Sequence, residues 1–487
     1  MTKIKEKQLV AIVGAGLAGS EAAWQLAERG HAVRLFEMRP VRMTQAHKTG
    51  NCAELVCSNS FKSRAVENAH GLLKAEMALH KSMILMNGEK FSVPAGQALA
   101  IDREPFAEAV TAQLKAHPLI SFCNEEVADV AKLIEEYSHV IFATGPLTSD
   151  DLANSLQDIL GTQYLSFYDA IAPVVTAESI DMNLAFRASR YGKGEADYIN
   201  CPMHRGQYQS FIEAVQQAEK VELHQFEDTR PFEGCLPIEV MVERGPETLR
   251  FGPMKPVGLD HPESGERYHA VVQLRQENSV GTLYNLVGFQ TKMTWTSQKE
   301  VFALIPGLEN AEFVRLGSVH RNTFLNGPAL LKPQLSLKTH PNIFFAGQIT
   351  GVEGYMESTA MGILAARQIA AELENRVESP PSPDTMMGAL LRYITETEAS
   401  TFQPMNANFG LLNAPEKKMS KSDRKTWYAE RALKKKLRNM RSKFEDSVKS
   451  HNDTKVCHSR VSGNPLFQML TSSWIPAFAG MTNKCLF

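Results

Sequence analysis

L-V-A-I-V-G-A-G-L-A-G-S-E-A-A-W-Q-L-A, from Leu9 to Ala27, is the stretch on which the fold turns. Five apolar residues, Leu9 to Val13, predict a strand buried on both faces, and from Gly14 the pattern becomes helical to about Arg29. Between them lies G-x-G-x-x-G, formed by Gly14, Gly16 and Gly19. Gly14 permits the tight strand-to-helix turn, Gly16 lets the backbone approach a pyrophosphate, and Gly19 lets the helix pack against the sheet with its N-terminus toward the phosphates. Ala15, Leu17 and Ala18 complete the turn that would face a cofactor. Three glycines alone are weak evidence, since a βα turn without a nucleotide also uses them. Here a second strand follows as A-V-R-L-F-E, and Glu37 ends it 18 residues after Gly19, where a carboxylate can accept the ribose hydroxyls of an adenine dinucleotide.

The 487 residues suffice for two or three domains, and a content of 43% hydrophobic and 22% charged residues is that of a soluble globular chain. No apolar run is long enough to span a bilayer, so no membrane partner is expected. Lys3, Lys5 and Lys7 before an apolar stretch imitate a signal peptide, but three glycines and Glu21 inside that stretch suit a nucleotide fold better. The expectation is a cytoplasmic enzyme. Seven cysteines without a C-x-x-C argue against a zinc ribbon or a thioredoxin-type couple, and no metal site is expected. The formal charge of −2 conceals an asymmetry. From Glu416 to Lys443 there are 12 Lys/Arg against three acids, so this segment carries +9 and the remainder −11, which suggests a polyanionic partner.

After Glu37 the chain runs through M-R-P-V-R-M-T-Q-A-H-K-T-G-N-C-A-E-L-V-C-S-N-S, a loop made electropositive by Arg39, Arg42, His47 and Lys48 that carries Cys52 and Cys57. Asn68 to His80 has helical spacing, and V-P-A-G-Q-A-L-A-I-D-R-E leads to a strand and a helix from about Glu104. H-V-I-F-A-T-G-P, His139 to Pro146, predicts a buried strand whose end at Gly145 permits close approach of a ligand. From Leu147 to Arg321, strand-like pieces such as Y-L-S-F-Y, Y-I-N-C-P-M, L-R-F-G-P-M-K-P-V-G-L and H-A-V-V-Q-L-R-Q alternate with short helices, as in an inserted substrate domain. A strand from Ile343, a glycine-rich loop and a helix from about Met356 then resume the nucleotide fold, which is thus assembled from both ends of the sequence. Pro380, Pro381 and Pro383 are expected to stop that helix. The expected division is 1–146 and 322–376 for the two parts of the nucleotide domain, 147–321 for the insert, 377–455 for a helical basic segment, and 456–487 for a dispensable tail.

G-A-G-L-A-G-S-E-A-A with F-E-M-R-P, A-E-L-V-C-S-N-S, F-E-G-C-L-P-I-E, and F-G-P-M-K-P-V-G-L with A-G-Q-I-T-G-V-E-G-Y together resemble the folate- and FAD-dependent tRNA (uracil-5-)-methyltransferase family, TrmFO or Gid. That family is related to the MnmG (GidA) flavoproteins, which modify a different tRNA uridine. The resemblance covers roughly Gln8 to Lys443. It implies an α/β fold: a two-part FAD-binding, Rossmann-like domain of glutathione-reductase type with an inserted α+β domain and a helical basic C-terminal segment. It also implies FAD as cofactor, 5,10-methylenetetrahydrofolate as carbon donor, NADH or NADPH as reductant, and 5-methyluridine in the tRNA T loop as product. The competing readings are another flavin-dependent tRNA uridine enzyme and an RNA-binding flavoprotein without turnover.

Uracil C5 takes up a carbon only after a nucleophile has added at C6, so such a chemistry needs an activated cysteine. The resemblance places the two functional cysteines at Cys57 and Cys235, Cys235 for attack at C6 and Cys57 for proton removal at C5 or resolution of the covalent intermediate, with the two roles open to exchange. Arg230 and Arg244 are the cations nearest Cys235 in sequence. The resemblance further assigns Gly347 and Gln348 to the ribityl-phosphate part of FAD, with Gln348 where many two-part FAD folds have Asp. Tyr355 either borders the isoalloxazine or is a packed aromatic. Cys52, Cys123 and Cys201 are expected to be small buried hydrophobes.

Overall fold

The computed structural model describes residues 9–434 apart from 45, 162–163, 171, 194, 222–235, 318 and 421; for 164–170 and 319–323 the backbone alone is described. Cys235 and the expected tail at 456–487 lie outside the described residues.

The first part runs β1 (Val10–Val13), α1 (Leu17–Ala27), β2 (Val33–Phe36), β3 (Ser60–Ser63), α2 (Ala69–Ala78), α3 (Met83–Lys90), β4 (Ser92–Val93), β5 (Ala98–Ile101), α4 (Arg103–Ala116), β6 (Ile120–Cys123), α5 (Val130–Glu136) and β7 (His139–Phe142). The second runs α6 (Asp150–Leu160), β8 (Tyr164–Ala170), β9 (Val174–Thr176), β10 (Phe186–Arg187), β11 (Tyr198–Met203), α7 (Arg205–Gln217), α8 (Ile238–Glu243), α9 (Thr248–Phe251), β12 (Ala270–Gln276), β13 (Leu283–Leu286), α10 (Trp295–Phe302), β14 (Phe313–Arg315) and β15 (Val319–Leu325). The third comprises α11 (Gly327–Leu330), β16 (Ile343–Phe345), α12 (Tyr355–Leu373) and α13 (Met386–Glu396).

β1 is apolar throughout and buried at every position, as a central parallel strand covered on both faces requires. It sits in a five-stranded sheet of order β16-β7-β1-β2-β6, all parallel. β16 comes more than 200 residues after β7 in sequence yet pairs with it, so the two ends of the chain build one sheet. Between them, β8 and β15 form an antiparallel ribbon along which the chain leaves and returns. The insert is a six-stranded sheet, β10-β11-β12-β13-β9-β14, with α7, α8 and α10 contributing Phe211, Ile238 and Phe302 to a core of its own. The α/β fold with an inserted α+β domain is the one the sequence implies.

Two local expectations change. L-R-F-G-P-M-K-P-V-G-L is no strand: Leu249 to Phe251 belong to the single turn of α9, and Pro253 and Pro256, lacking N–H donors, keep the segment from Gly252 to Leu259 out of a ladder. α12 stops before the proline run. Asn375 takes φ 53°, and the Arg376 N–H donates to the Ala371 carbonyl at 2.7 Å, a left-handed cap that ends the helix at Leu373.

Candidate active site

β1 and β7 end side by side, with β2 on one flank and β16 on the other, so a crevice opens at their C-terminal ends where the strand order reverses. A cleft of about 600 Å³ lies there, lined by Gly14, Gly16, Glu37, Arg39, Ala143 and Thr144 among others. The three glycines separate by role. Gly14 has φ 98° and a Cβ on it would lie 2.7 Å from the Ala143 carbonyl oxygen; one on Gly19 would lie 1.9 Å from the Gly14 carbonyl oxygen. A Cβ on Gly16 would meet no protein atom within 4 Å, so that glycine leaves space in the cleft itself. Gly16 is also the N-cap of α1 and supplies no side-chain cap, which leaves the first-turn N–H groups of Leu17 and Ala18 for another acceptor.

Glu37 is buried at the end of β2. Its Oε2 accepts from the Ala15 N–H at 2.9 Å, and its Oε1 accepts from the Arg39 backbone N–H at 3.1 Å and Arg39 Nε at 2.8 Å. Burial alone would push this carboxyl up, but the Arg39 guanidinium and the two backbone donors hold it below the usual carboxylate range. An ionised carboxylate offers about four acceptor positions, so capacity remains for a ribose hydroxyl. Open space at Gly16, an uncapped helix N-terminus and an ionised acceptor fit the adenine dinucleotide that the sequence implies.

Gly145, φ 67°, lies between the cleft residues Thr144 and Pro146, and a Cβ on it would also meet nothing within 4 Å. Gly347, φ 85°, follows β16 and allows only 2.8 Å between a Cβ of its own and that of Ala18; in α12, Gly362 lies under the Ala18 carbonyl. These contacts bring the start of α1 against the loop before α12. Gln348 Nε2 donates to Glu353 Oε2 at 2.8 Å, within the same loop.

The loop bearing Cys57 is tied to the glycine turn by the Ala53 N–H, which donates to the Ala15 carbonyl at 2.9 Å. The Cys57 N–H donates to Tyr355 Oη at 2.9 Å, and the Tyr355 ring meets Phe61 edge-on at 6.0 Å. The Tyr355 hydroxyl thus touches the cysteine loop while its ring packs on one side against Phe61. The cations expected around Cys57 are largely engaged elsewhere. Arg39 pairs with Glu37 and Glu54, and Arg42 with Glu126 and Asp151. Three arginines that sequence reasoning missed take their place. Arg103, at the start of α4, donates to the carbonyls of Leu55 (2.6 Å) and Cys57 (3.2 Å) and pairs with Glu277 at 2.8 Å. Arg315, at the end of β14, donates to the carbonyls of Val56 (3.2 Å) and Cys57 (3.0 Å). Arg275, buried in β12, donates through Nε to Asn59 Oδ1 at 3.0 Å. Arg103 left one sequence signal: a cation in a helix's first turn opposes the macrodipole and needs another reason to be there. Arg315 left none.

Cys52 and Cys201 are fully buried, and burial pushes their thiols up to about 11 and about 12, as expected of small hydrophobes. Cys123 is half-buried, and its thiol is also pushed up by burial. Immediately after Cys235, Leu236 is buried and α8 begins at Ile238, with Glu239 accepting from Thr291 Oγ1. Of the basic run, 422–434 is helical, with Tyr428, Ala432 and Leu433 buried and the Arg431 guanidinium 4.3 Å from the centre of the Trp427 ring. Among the described residues no helix is long and apolar enough to cross a membrane.

Residues 9–377 match the family model described as glucose inhibited division protein A. The chain is 57% identical over 434 residues to the methylenetetrahydrofolate--tRNA-(uracil-5-)-methyltransferase TrmFO of Cereibacter sphaeroides, covering 86% of this chain and 96% of that protein. It is 52% identical to the TrmFO of Syntrophus aciditrophicus over 87% of this chain and 96% of that one, and 53% identical to that of Bacillus cereus over 88% and 97%. Among solved structures, GidA of Aquifex aeolicus superposes with a TM-score of 0.64 at 16% identity, covering 95% of this chain and 80% of that one, a likeness of fold.

Proposed function

The chain belongs to the TrmFO family, and from that premise we propose that it transfers the carbon of 5,10-methylenetetrahydrofolate to C5 of a uridine in tRNA, the T-loop uridine, with FAD bound in the cleft and NADH or NADPH as reductant. The observation that carries this reading is identity above one half over nearly the whole length of curated relatives that bear the name of that reaction. When bound, FAD supplies the hydride and the means of carrying the one-carbon unit. The chain's own residues do the rest. Leu17 and Ala18 present backbone N–H groups to the pyrophosphate across the space left by Gly16, Gly14, Ala15 and Gly19 shape the turn around it, Glu37 accepts from the ribose, and Gly145, Gly347, Gln348 and Tyr355 are assigned to the flavin end. Cys235 is assigned the addition to uracil C6, which forms a C–S bond and moves an electron pair onto the C4 oxygen, making C5 nucleophilic. Cys57 is assigned the removal of the C5 proton or the resolution that breaks the C–S bond. A cytoplasmic location follows from the tRNA substrate.

Purified protein is expected to show a flavin spectrum. With unmodified tRNA, folate labelled at the methylene carbon and NADPH, it is expected to place label in T-loop 5-methyluridine, and Cys57→Ala and Cys235→Ala to abolish that label while tRNA binding persists. Flavin without label transfer would leave the fold and remove the reaction.

A further inference from the structure

The Cys57 loop is held by more positive charge than the described residues around it neutralise. Arg103, from α4, has a counter-ion, taking Glu277 Oε1 and Oε2 at 3.1 and 2.8 Å. Arg275, from β12, has the amide oxygen of Asn59. Arg315 reaches the same loop from β14 and has no carboxylate partner among the described residues: its Nη atoms donate to the carbonyls of Val56, Cys57 and Ala172, and its Nε is buried with no acceptor. Burial pushes its guanidinium down to about 10, which still leaves it charged at neutral pH. A buried cation without an anion is expensive, and protein folds retain one where an anion shares the site. The groups facing that position are Arg103, Arg275 and Glu277, the Tyr355 hydroxyl from α12, and the Cys57 thiol, whose charge is felt by all three arginines and by Tyr355. Of the groups in that set able to become an anion, Glu277 acts on Arg315 through space but pairs directly with Arg103, one carboxylate against three guanidinium groups, and burial pushes the Tyr355 hydroxyl up, which leaves the thiol.

We propose that Arg315 is a positioning residue that holds the Cys57 loop by its carbonyls and serves as the counter-cation of the Cys57 thiolate, so that the inserted domain arms a cysteine belonging to the FAD-binding domain. This rests on the reading of Cys57 as one of the two working cysteines. A thiol in a loop held by more guanidinium than carboxylate charge ionises at lower pH, because the excess charge favours its anion.

The test uses the full-length holoenzyme and follows the rate of iodoacetamide alkylation at Cys57, by peptide mass spectrometry, from pH 5.5 to 9.5. The wild-type midpoint is expected at least one unit below the value near 8.5 of an ordinary thiol. Arg315→Gln is expected to raise it by about one unit, roughly a three- to eightfold loss of thiolate at neutral pH, and Arg315→Lys to restore most of the shift while flavin content stays unchanged. A wild-type midpoint at or above 8.5 overturns the proposal without any variant, which covers the case in which Arg315→Gln does not fold. An unchanged midpoint in a folded Arg315→Gln overturns it too. Because the readout is the thiol and not turnover, the two ideas fail separately: Cys57→Ala could leave methylation intact with the Arg315 coupling still observed, or the coupling could be absent from an essential cysteine.

Discussion

At the scale of single residues, the glycine turn distinguishes what the protein needs from what a cofactor needs. Gly19 is required by packing, since a Cβ would overlap the Gly14 carbonyl at 1.9 Å. Gly16 is required by nothing in the protein, because a Cβ there meets no atom within 4 Å and its φ of −69° suits any residue. Gly16→Ala is therefore expected to leave the melting temperature of the flavin-free protein within about 2 °C of wild type, an effect of well under 1 kcal/mol. It is expected to lower flavin content severalfold, read from the ratio of absorbance at 450 nm to that at 280 nm. Gly19→Ala is expected to yield little folded protein. A Gly16→Ala protein that retains full flavin would show that the pyrophosphate does not approach that turn.

At the scale of elements, buried acids settle where helices begin. Glu21 of α1 accepts from the N–H groups of Met83 and Ile84 at the start of α3, and Glu76 of α2 accepts from those of Met386 (2.7 Å) and Met387 (2.9 Å) at the start of α13. Both carboxyls are fully buried, so neither is a solvent-exposed charge pair. Glu76→Ala strands two buried N–H donors, each costing roughly 1–3 kcal/mol, and is expected to lower unfolding free energy by about 2–4 kcal/mol in urea. Glu76→Gln keeps one acceptor and should lose less. Equal stability of the two variants would place the contribution in packing. The same scale shows what the sequence could convey. β1, α1, β2, β7, β16 and α12 were legible because an unbroken apolar run and a period of 3.6 are local patterns. The conspicuous prolines point to a stop for α12 beyond its real end, because Asn375 in a left-handed conformation leaves no composition signal. The α9 turn was hidden for the converse reason: Leu249, Phe251 and Val257 look like strand residues, and the two prolines between Phe251 and Leu259 decide against a ladder.

At the scale of the whole molecule, function depends on contacts between segments far apart in sequence, which is why the candidate site was only half legible. Asn59 joins β5 to β12, donating to the carbonyls of Ile101 (3.1 Å) and Gln276 (3.0 Å) while accepting from Arg275. The glycine turn and Glu37 lie within one stretch and could be found from spacing, whereas the arginines at Cys57 arrive from α4, β12 and β14 and only the fold assembles them. The basic run belongs to this scale as well. Its helix at 422–434 is anchored by Tyr428, Ala432 and Leu433, with Arg431 stacked on Trp427, so that Arg424 and Lys434 stand on an exposed face of a docked element. Docking favours a phosphate-tracking role over a solvated charge run, because charges held in fixed positions can match the spacing of an RNA backbone. Each phosphate contact contributes about 0.7–0.9 to the slope of log K against log salt. Replacing Lys434, Lys435 and Lys436 by Glu should weaken tRNA binding at least tenfold at low salt and reduce that slope by about two. It should leave the melting temperature in place, since the anchoring residues are untouched. If filter binding across a salt series returned the wild-type affinity and slope, the +9 segment would be a solvated face and the tRNA would have to be held by the inserted domain instead.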